Sequence, residues 1–212
     1  MDSLSNLSLP MFDSNRSSIM IVNVAICCLS FILLIVSMSG NSTASGTVKN
    51  GAWTLGLNND DEIIAWYGLK QMVLNNDGGY SYSSCADGVD YCSDCETAGK
   101  NSLNATVFVF FFNIAMLVLS VLRRNPATDS GTKKVAAVVT MSVSLVTMII
   151  AMGVWNNECM VNLPTSGSVT IALGPGMNCI LTTFLFSLIV YVSHLFTAAG
   201  GDGSMEAPIN KV

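Results

Sequence analysis

Residues 19–39 read IMIVNVAICCLSFILLIVSMS and residues 103–122 read LNATVFVFFFNIAMLVLSVL, and neither run contains a charged residue. Because an α-helix rises about 1.5 Å per residue, each run is long enough to cross the hydrocarbon layer of a bilayer, which is about 30 Å thick. The polar segment between them, Gly40–Ser102, must then begin and end on the same side of the membrane. We therefore expect the fold to be organised around this large loop.

Two further uncharged runs, Val135–Trp155 and Asn178–Ala199, follow in the sequence. Four such runs predict an all-α membrane protein with a four-transmembrane-helix bundle. The predicted segments are a mobile tail at 1–18, helices at 19–39, 103–122, 135–155 and 178–199, outer loops at 40–102 and 156–177, a short basic loop at 123–134 and a tail at 200–212. The first run has an alternative reading as a signal peptide cleaved near Ser37-Met38-Ser39, but its length and its long leader favour a retained helix.

The composition excludes an ordinary soluble domain, because only 11% of the residues are charged, against about 25% in such domains. The large loop is acidic, and this charge argues against nucleic acid as a partner. Its acidic residues are Asp60, Asp61, Glu62, Asp77, Asp87, Asp90, Asp94 and Glu96, against Lys49, Lys70 and Lys100. The sequence has no phosphate-binding loop and no catalytic triad pattern, so we expect no enzyme activity, cofactor or metal site.

Basic residues set the predicted orientation. The short loop 123–134 is bracketed by Arg123-Arg124 and Lys133-Lys134, and short basic loops stay in the cytoplasm. Both termini are then cytoplasmic, and the large loop faces the outside of the plasma membrane or, in an endomembrane, the lumen. The only histidine, His194, falls near the inner end of the fourth helix and is expected to be an interfacial anchor, with a proton relay as the alternative.

Five of the seven cysteines lie on the predicted outer side, which is typical of an oxidising compartment. The ends of the second outer loop must be close together, so we predict a Cys159–Cys179 disulfide. Cys85 is expected to pair with either Cys92 or Cys95, which leaves one cysteine unpaired. The Cys92-x-x-Cys95 spacing also occurs in redox and zinc sites, but no second ligand pair accompanies it.

The large loop carries strand signals at Gly51–Leu57, Ile63–Leu74 and Tyr80–Ser84, separated by turns at residues 58–61 and 75–79. The second outer loop adds an alternating segment, Ser168–Leu173, before Gly174-Pro175-Gly176. These patterns predict a small antiparallel β-sheet on the outer ends of the helices, with the last strand at an edge. Sequons at Asn41 and Asn104 are possible glycosylation sites.

The large loop contains Trp53, then Gly68-Leu69, then Cys85 and Cys92. With four membrane helices, a long first outer loop and a short second one, this order resembles the claudin superfamily, which includes claudins, peripheral-myelin-type proteins, calcium-channel gamma subunits, fungal eisosome tetraspans and amastins. Lys70 stands where the family signature has a second Trp, and the signature places its first Cys near Val73. The resemblance implies a membrane protein that works by association with its own kind or as part of a channel.

The predicted function is that of a structural, adhesive or membrane-organising protein that associates laterally. Its partners are membrane lipids and a second copy or another membrane protein. The alternative is an ion-conducting or channel-modulating subunit. Trp66 and Tyr67 are adjacent in a predicted strand, so they point to opposite faces, and we expect one of them to be exposed as an interface residue. Asn23 and Asn113 are expected to form hydrogen bonds between helices.

Overall fold

The computed structural model describes residues 7–75, 78–85, 90–164 and 169–200. In this part of the chain, four helices are long and apolar enough to cross a membrane. Two short helices accompany them. The helices are α1 (Pro10–Ser14), α2 (Arg16–Met38), α3 (Ser45–Gly51), α4 (Asp90–Arg123), α5 (Gly131–Val154) and α6 (Pro175–Phe196). The predicted four-helix bundle with a small antiparallel sheet is confirmed.

The four long helices are apolar on their outer surface and partly polar inside. Exposed positions include Ile32, Phe108, Phe111, Val146 and Ile149, whereas many buried positions are polar. The buried polar residues include Asn23, Ser30, Thr106, Asn113, Ser144, Thr183, Ser187 and Ser193. This distribution suits a lipid surrounding, where helices associate through small and polar residues rather than by burying apolar surface.

Among the described residues, five strands form one antiparallel sheet in the order β4-β3-β2-β1-β5. Their bounds are β1 (Thr54–Leu57), β2 (Ile63–Tyr67), β3 (Gln71–Leu74), β4 (Gly79–Ser81) and β5 (Thr170–Leu173). The strand of the second outer loop, β5, pairs with β1 and forms an edge, as the sequence predicts. Residues 76, 77 and 168 of the predicted turns and strands lie outside the described residues.

The sheet has an inner face that packs on the helix ends. Strand pairing places Ala65, Tyr67, Met72, Leu74 and Ile171 on this face. The same residues belong to or pack against one apolar cluster that also contains side chains from α4, α5 and α6, among them Val109, Met148 and Ile180. The sheet and the bundle therefore share a continuous core.

Three predicted boundaries differ most from the structure, beside smaller shifts such as β1 beginning at Thr54 instead of Gly51 and Tyr82–Ser84 forming a 3-10 turn. The segment Ile63–Leu74 is two strands, because the chain reverses at residues 68–70. The helix α4 begins at Asp90 instead of 103, so its polar first part, within the predicted loop, extends beyond the apolar run. At about 1.5 Å per residue its 34 residues span roughly 50 Å, well beyond a hydrocarbon layer of about 30 Å.

The third wrong boundary concerns the tail predicted at 1–18. Pro10–Ser14 forms α1, and α2 already begins at Arg16, whose side chain is buried. The backbone nitrogen of Leu9 donates to the oxygen of Phe196 at 2.9 Å, so this segment is fixed to the end of α6. Residues 1–6 and 201–212 of the two predicted tails lie outside the described residues.

Candidate interaction surface

Trp53 and Trp155 connect the sheet to the helices. Both side chains are fully buried, and their rings meet edge to face with centroids 5.8 Å apart. Trp53 Nε1 donates to the backbone oxygen of Ser37 at the end of α2, and Trp155 Nε1 donates to Thr54 Oγ1 in β1. Buried tryptophans with satisfied N–H groups are strong packing anchors. The position of β1 is thus set by two helices at once.

The motif residues Gly68 and Leu69 form the reversal between β2 and β3. Gly68 N donates to Gln71 O at 2.9 Å, and Leu69 N donates to Gly40 O at 2.8 Å. A Cβ on Gly68 would collide with Gly40 O and lie 2.9 Å from Val48. Glycine is therefore required here by close approach of the chain, and Leu69 is buried in the core beside it.

Tyr82, which follows β4, forms a hydrogen bond with the reversal between β2 and β3. Its hydroxyl donates to Gly68 O at 3.0 Å, and its side chain is buried. Burial raises the pKa of the Tyr82 phenol well above its ordinary value, and burial also raises the pKa of Tyr67. Both groups therefore remain neutral hydrogen-bonding partners at physiological pH.

Two disulfides join described residues. Cys85 is bonded to Cys92, one of the two partners that the sequence allows. The predicted Cys159–Cys179 pair is wrong, since Cys159 is bonded to Cys95 and Cys179 is free. The early start of α4 is the reason. It brings Cys95 to a Cα–Cα distance of 4.4 Å from Cys159. Cys159 is the last residue of a π-helix, Trp155–Cys159, that directly follows α5.

The other candidate chemistry of the large loop does not form a site among the described residues. Cys92 and Cys95 belong to different disulfides, so they are not a redox pair. The described residues contain no group of three or more His, Cys, Asp or Glu side chains that could hold a metal. In the β1–β2 turn, Asn58 Oδ1 accepts hydrogen bonds from the backbone nitrogens of Asp60 and Glu62 at 2.9 and 2.8 Å, so these residues build a turn.

Trp66 and Tyr67 point to opposite faces, as predicted. Tyr67 is on the inner face and is 6% exposed. Trp66 is on the outer face and is half-buried, and the Lys49 ammonium from α3 lies 4.2 Å from its ring centroid. The expectation of an exposed ring is met only in part, since a cation–π contact covers part of Trp66.

The outer face carries a row of apolar side chains that we call the outer row. It consists of Trp66 in β2, Leu55 in β1 and Ala172 in β5, which are directly opposite one another across the strands. All three are half-buried, so each keeps some accessible surface. The row ends at β5, a strand that has one partner in the described sheet and contains no charged residue or proline.

At the opposite end of the bundle, Asp129 is the centre of a buried charged network. Its carboxylate accepts from Arg16 Nη1 at 3.0 Å and from Arg123 Nε at 3.2 Å, and the backbone nitrogen of Gly200 donates to it at 3.3 Å. Arg123 also donates to the backbone oxygens of Thr197 and Ala198, both at 3.1 Å. The network therefore joins the start of α2, the α4–α5 loop and the end of α6.

His194 belongs to this network and is fully buried, so the expectation of an interfacial anchor is wrong. Arg123 Nη1 lies 2.8 Å from His194 Nδ1, and Ser120 Oγ lies 3.0 Å from Nε2. Arginine can only donate, so Nδ1 accepts and Nε2 carries the proton that is shared with Ser120. The ring is held in one tautomer and connects α4 to α6.

The two membrane asparagines make the predicted contacts between helices. Asn23 Nδ2 donates to Ser193 Oγ at 2.6 Å, which joins α2 to α6, and Asn113 Nδ2 donates to the oxygen of Cys27 at 2.9 Å, which joins α4 to α2. Of the predicted sequons, Asn41 is half-buried in a short 3-10 turn and Asn104 is exposed on α4. Their glycosylation stays a prediction.

No protein-family model matches this chain, and no curated protein matches it in sequence either.

Proposed function

We propose that this chain is a claudin-like structural protein of the membrane that organises its surroundings by lateral self-association through the outer row. The observation that carries the proposal is an apolar row on the outer face that runs over β2, β1 and β5 and ends at an uncharged edge strand, whereas the next position in β3, Val73, is buried. Proteins that remain single usually protect such edges with a short strand, charge, proline or a covering segment; β5 is short, at four residues, but carries no charge and no proline. A second copy of the chain is the partner that would cover both the row and the edge.

The geometry of the sheet makes the outer row a suitable interface. The Trp53–Trp155 contact anchors the sheet. The Cys85–Cys92 disulfide ties the chain just after β4 to α4, and the Cys95–Cys159 disulfide braces the helices beneath. The outer face of the sheet is therefore presented by a rigid support. Rigid surfaces lose little conformational entropy when they bind. Trp66 supplies an aromatic anchor, and truncation of such residues at interfaces often costs more than about 2 kcal/mol.

The interior of the bundle favours a structural function over a pore through a single chain. Its largest fully shielded side chains include Met20, Leu34, Met116, Met148 and Ile180, which fill the space between the helices. An ion path through one copy would require water in the place of these side chains. A channel made between copies would still use the self-association surface proposed here.

The proposed function also includes an orientation of the chain in the membrane. The sheet would lie outside the plasma membrane, because the opposite end carries the basic loop with Arg123, Arg124, Lys133 and Lys134. Two disulfides at the sheet end support an oxidising environment there.

The test is a count of copies per particle by single-molecule photobleaching in the membrane of intact cells. Wild type is compared with Trp66→Ala and with the matched control Tyr80→Ala, which removes an aromatic ring that is 44% exposed on β4 and outside the outer row. We expect multimeric wild-type particles, a shift of Trp66→Ala toward monomers by about tenfold or more in dissociation constant, and no shift for Tyr80→Ala.

The experiment tests two claims separately: that the protein self-associates, and that the outer row is the interface. Monomeric wild-type particles over the range of surface densities would contradict self-association. Multimers that respond equally to Trp66→Ala and Tyr80→Ala, or to neither, would contradict the outer row as the interface. Surface delivery of each variant, measured with an external tag, excludes misfolding as the cause.

A further inference from the structure

The segment before the first membrane helix, which we call the N-terminal strap, consists of residues 7–14 and includes α1. It exposes three large apolar side chains within five positions, since Leu7, Leu9 and Met11 are 42%, 43% and 69% exposed. Single exposed apolar residues are common on protein surfaces, but a group of them marks a surface that contacts something other than water.

The strap is fixed to the protein on its other side. The backbone nitrogen of Leu9 donates to the oxygen of Phe196 at 2.9 Å, and Lys134 Nζ donates to the oxygen of Leu7. The ring of Phe12 lies 6.0 Å from that of Phe196. These contacts join the strap to the end of α6 and the start of α5, so its exposed apolar side chains have a fixed place.

The only charged residue of the strap, Asp13, contacts the protein. Its Oδ1 accepts from the backbone nitrogen of Ala198 at 2.6 Å and lies 3.9 Å from Arg16 Nη2. Arg16 is itself buried and paired with Asp129 at 3.0 Å. Residues 7–12 carry no charge, so an apolar surrounding would leave no unpaired charge on this part of the strap.

The strap lies at the level expected for lipid headgroups. The helix α2 begins at Arg16, and Ile21, which is exposed on its surface, follows roughly 7–8 Å further along the axis. The headgroup layer on each side of the hydrocarbon is roughly 5–8 Å thick. At the same level, Arg124 Nε donates to Ser17 Oγ at 3.1 Å, and basic side chains near helix ends typically reach the headgroups.

The strap also continues a surface that faces lipid. Phe12 lines an apolar groove between α2 and α6, together with Ile19, Val22 and Val192. Both helices are long and apolar enough to cross a membrane, and Val22 and Val192 are exposed on them. The lipid that covers these side chains therefore also reaches Phe12 and the strap.

We propose that the N-terminal strap is an interfacial anchor, which lies in the phospholipid headgroup layer at the basic end of the bundle with Leu7, Leu9 and Met11 inserted among the lipids. Apolar faces in this layer typically lie about 5–10 Å into the boundary between headgroups and acyl chains. Because the strap is joined to α2 and α6, it fixes their depth in the bilayer. The inference needs the chain to lie in a membrane but does not need self-association through the outer row.

The test is spin-label electron paramagnetic resonance on the full chain in phosphatidylcholine nanodiscs. Three free cysteines are first replaced by serine: Cys27, Cys28 and Cys179. The label is then placed on Met11→Cys or, independently, on Leu7→Cys. Ala127→Cys in the exposed α4–α5 loop is the aqueous control, and Val146→Cys, 55% exposed on α5, is the lipid control. Collision with oxygen, which concentrates in lipid, and with a water-soluble nickel chelate reports the depth of each label.

We expect the labels at residues 7 and 11 to lie at a depth of about 5–10 Å, with the Ala127→Cys label in water and the Val146→Cys label deeper. Strap labels that collide with nickel as often as the Ala127→Cys label would overturn the proposal, because the strap would then lie in water. Strap labels that meet neither reagent would overturn it as well, because protein, such as a second copy, would then cover the strap. A Val146→Cys label in water would instead contradict the membrane placement on which the proposed function rests.

Discussion

Arg123 Nε lies 3.2 Å from both carboxylate oxygens of Asp129, and both side chains are fully buried. Arg16 Nη1 adds a second guanidinium at 3.0 Å from Oδ2. A buried charge that loses its partner keeps its desolvation cost without compensation, so removal of one partner is more harmful than the net value of the pair suggests. We therefore expect the stability of the end of the bundle opposite the sheet to depend on Asp129.

Asp129→Asn should lower the free energy of unfolding by about 3–5 kcal/mol, because two arginines lose their anion in a buried position. The measurement is thermal or denaturant unfolding in detergent, followed by tryptophan fluorescence. Glu96→Gln is the matched control, since its partner Lys100 is on an exposed surface and such pairs contribute only about 0–1 kcal/mol. Similar unfolding curves for the two variants would contradict the structural importance of the network.

Gly99→Ala should separate α4 from the β2–β3 reversal. A Cβ at Gly99 would collide with the backbone oxygen and carbon of Leu69, which cannot move as a flexible side chain can. Gly153→Ala in α5 is the control, because nothing lies within 4 Å of its added Cβ, and alanine favours a helix by about 1 kcal/mol over glycine. We expect the first variant to be less stable than wild type and the second to be equally or more stable. The reverse order would show that the contact at Leu69 is not close-packed.

The Cys95–Cys159 bond should be a major constraint on the sheet end. It joins residues 64 positions apart, a loop for which the chain-entropy model gives roughly 4 kcal/mol. Cys159→Ser should therefore lower stability strongly, whereas Cys179→Ser should have little effect because Cys179 is free. Non-reducing peptide mapping should recover Cys95 linked to Cys159. A recovered peptide that links Cys159 to Cys179 would contradict the structure.

The orientation predicts which sites a protease reaches. With the sheet outside the cell, protease added to intact cells should cut in the exposed β1–β2 turn at residues 59–61 and leave a tag after Val212 intact. Permeabilised cells serve as the control in which the tag is also lost. Loss of the tag from intact cells would place the basic loop on the outer side and reverse the assignment.

The sequence predicts the helices and the sheet because their signals are local. Uncharged runs mark the apolar helices, and alternation before Gly174-Pro175-Gly176 marks β5. The first part of α4 is missed because DYCSDCETAGKNS, residues 90–102, is polar and shows no apolar run. The turn at Gly68 is missed because Leu69-Lys70 is not a typical turn pair, and it forms through a contact with distant Gly40.

The long-range pairs cannot be predicted for a related reason. The partnership of Arg16 with Asp129 and of Cys95 with Cys159 depends on how the helices end and pack, which single-sequence patterns do not encode. Trp66 and Tyr67 are an intermediate case. Alternation predicts that they diverge, but the cover that Lys49 gives Trp66 comes from α3, a short helix with no strong sequence signal.

The most direct test of the central claim is cross-linking between copies in the membrane at the outer row. Leu55→Cys lies in the middle of this row, and Thr97→Cys is a control on the exposed surface of α4. Both are made in a chain whose free cysteines Cys27, Cys28 and Cys179 are replaced by serine, and a short bifunctional thiol reagent is added from the outside. Self-association through the outer row predicts cross-linked dimers with Leu55→Cys that Trp66→Ala suppresses, and monomers with Thr97→Cys. Dimers with Thr97→Cys and none with Leu55→Cys would contradict it.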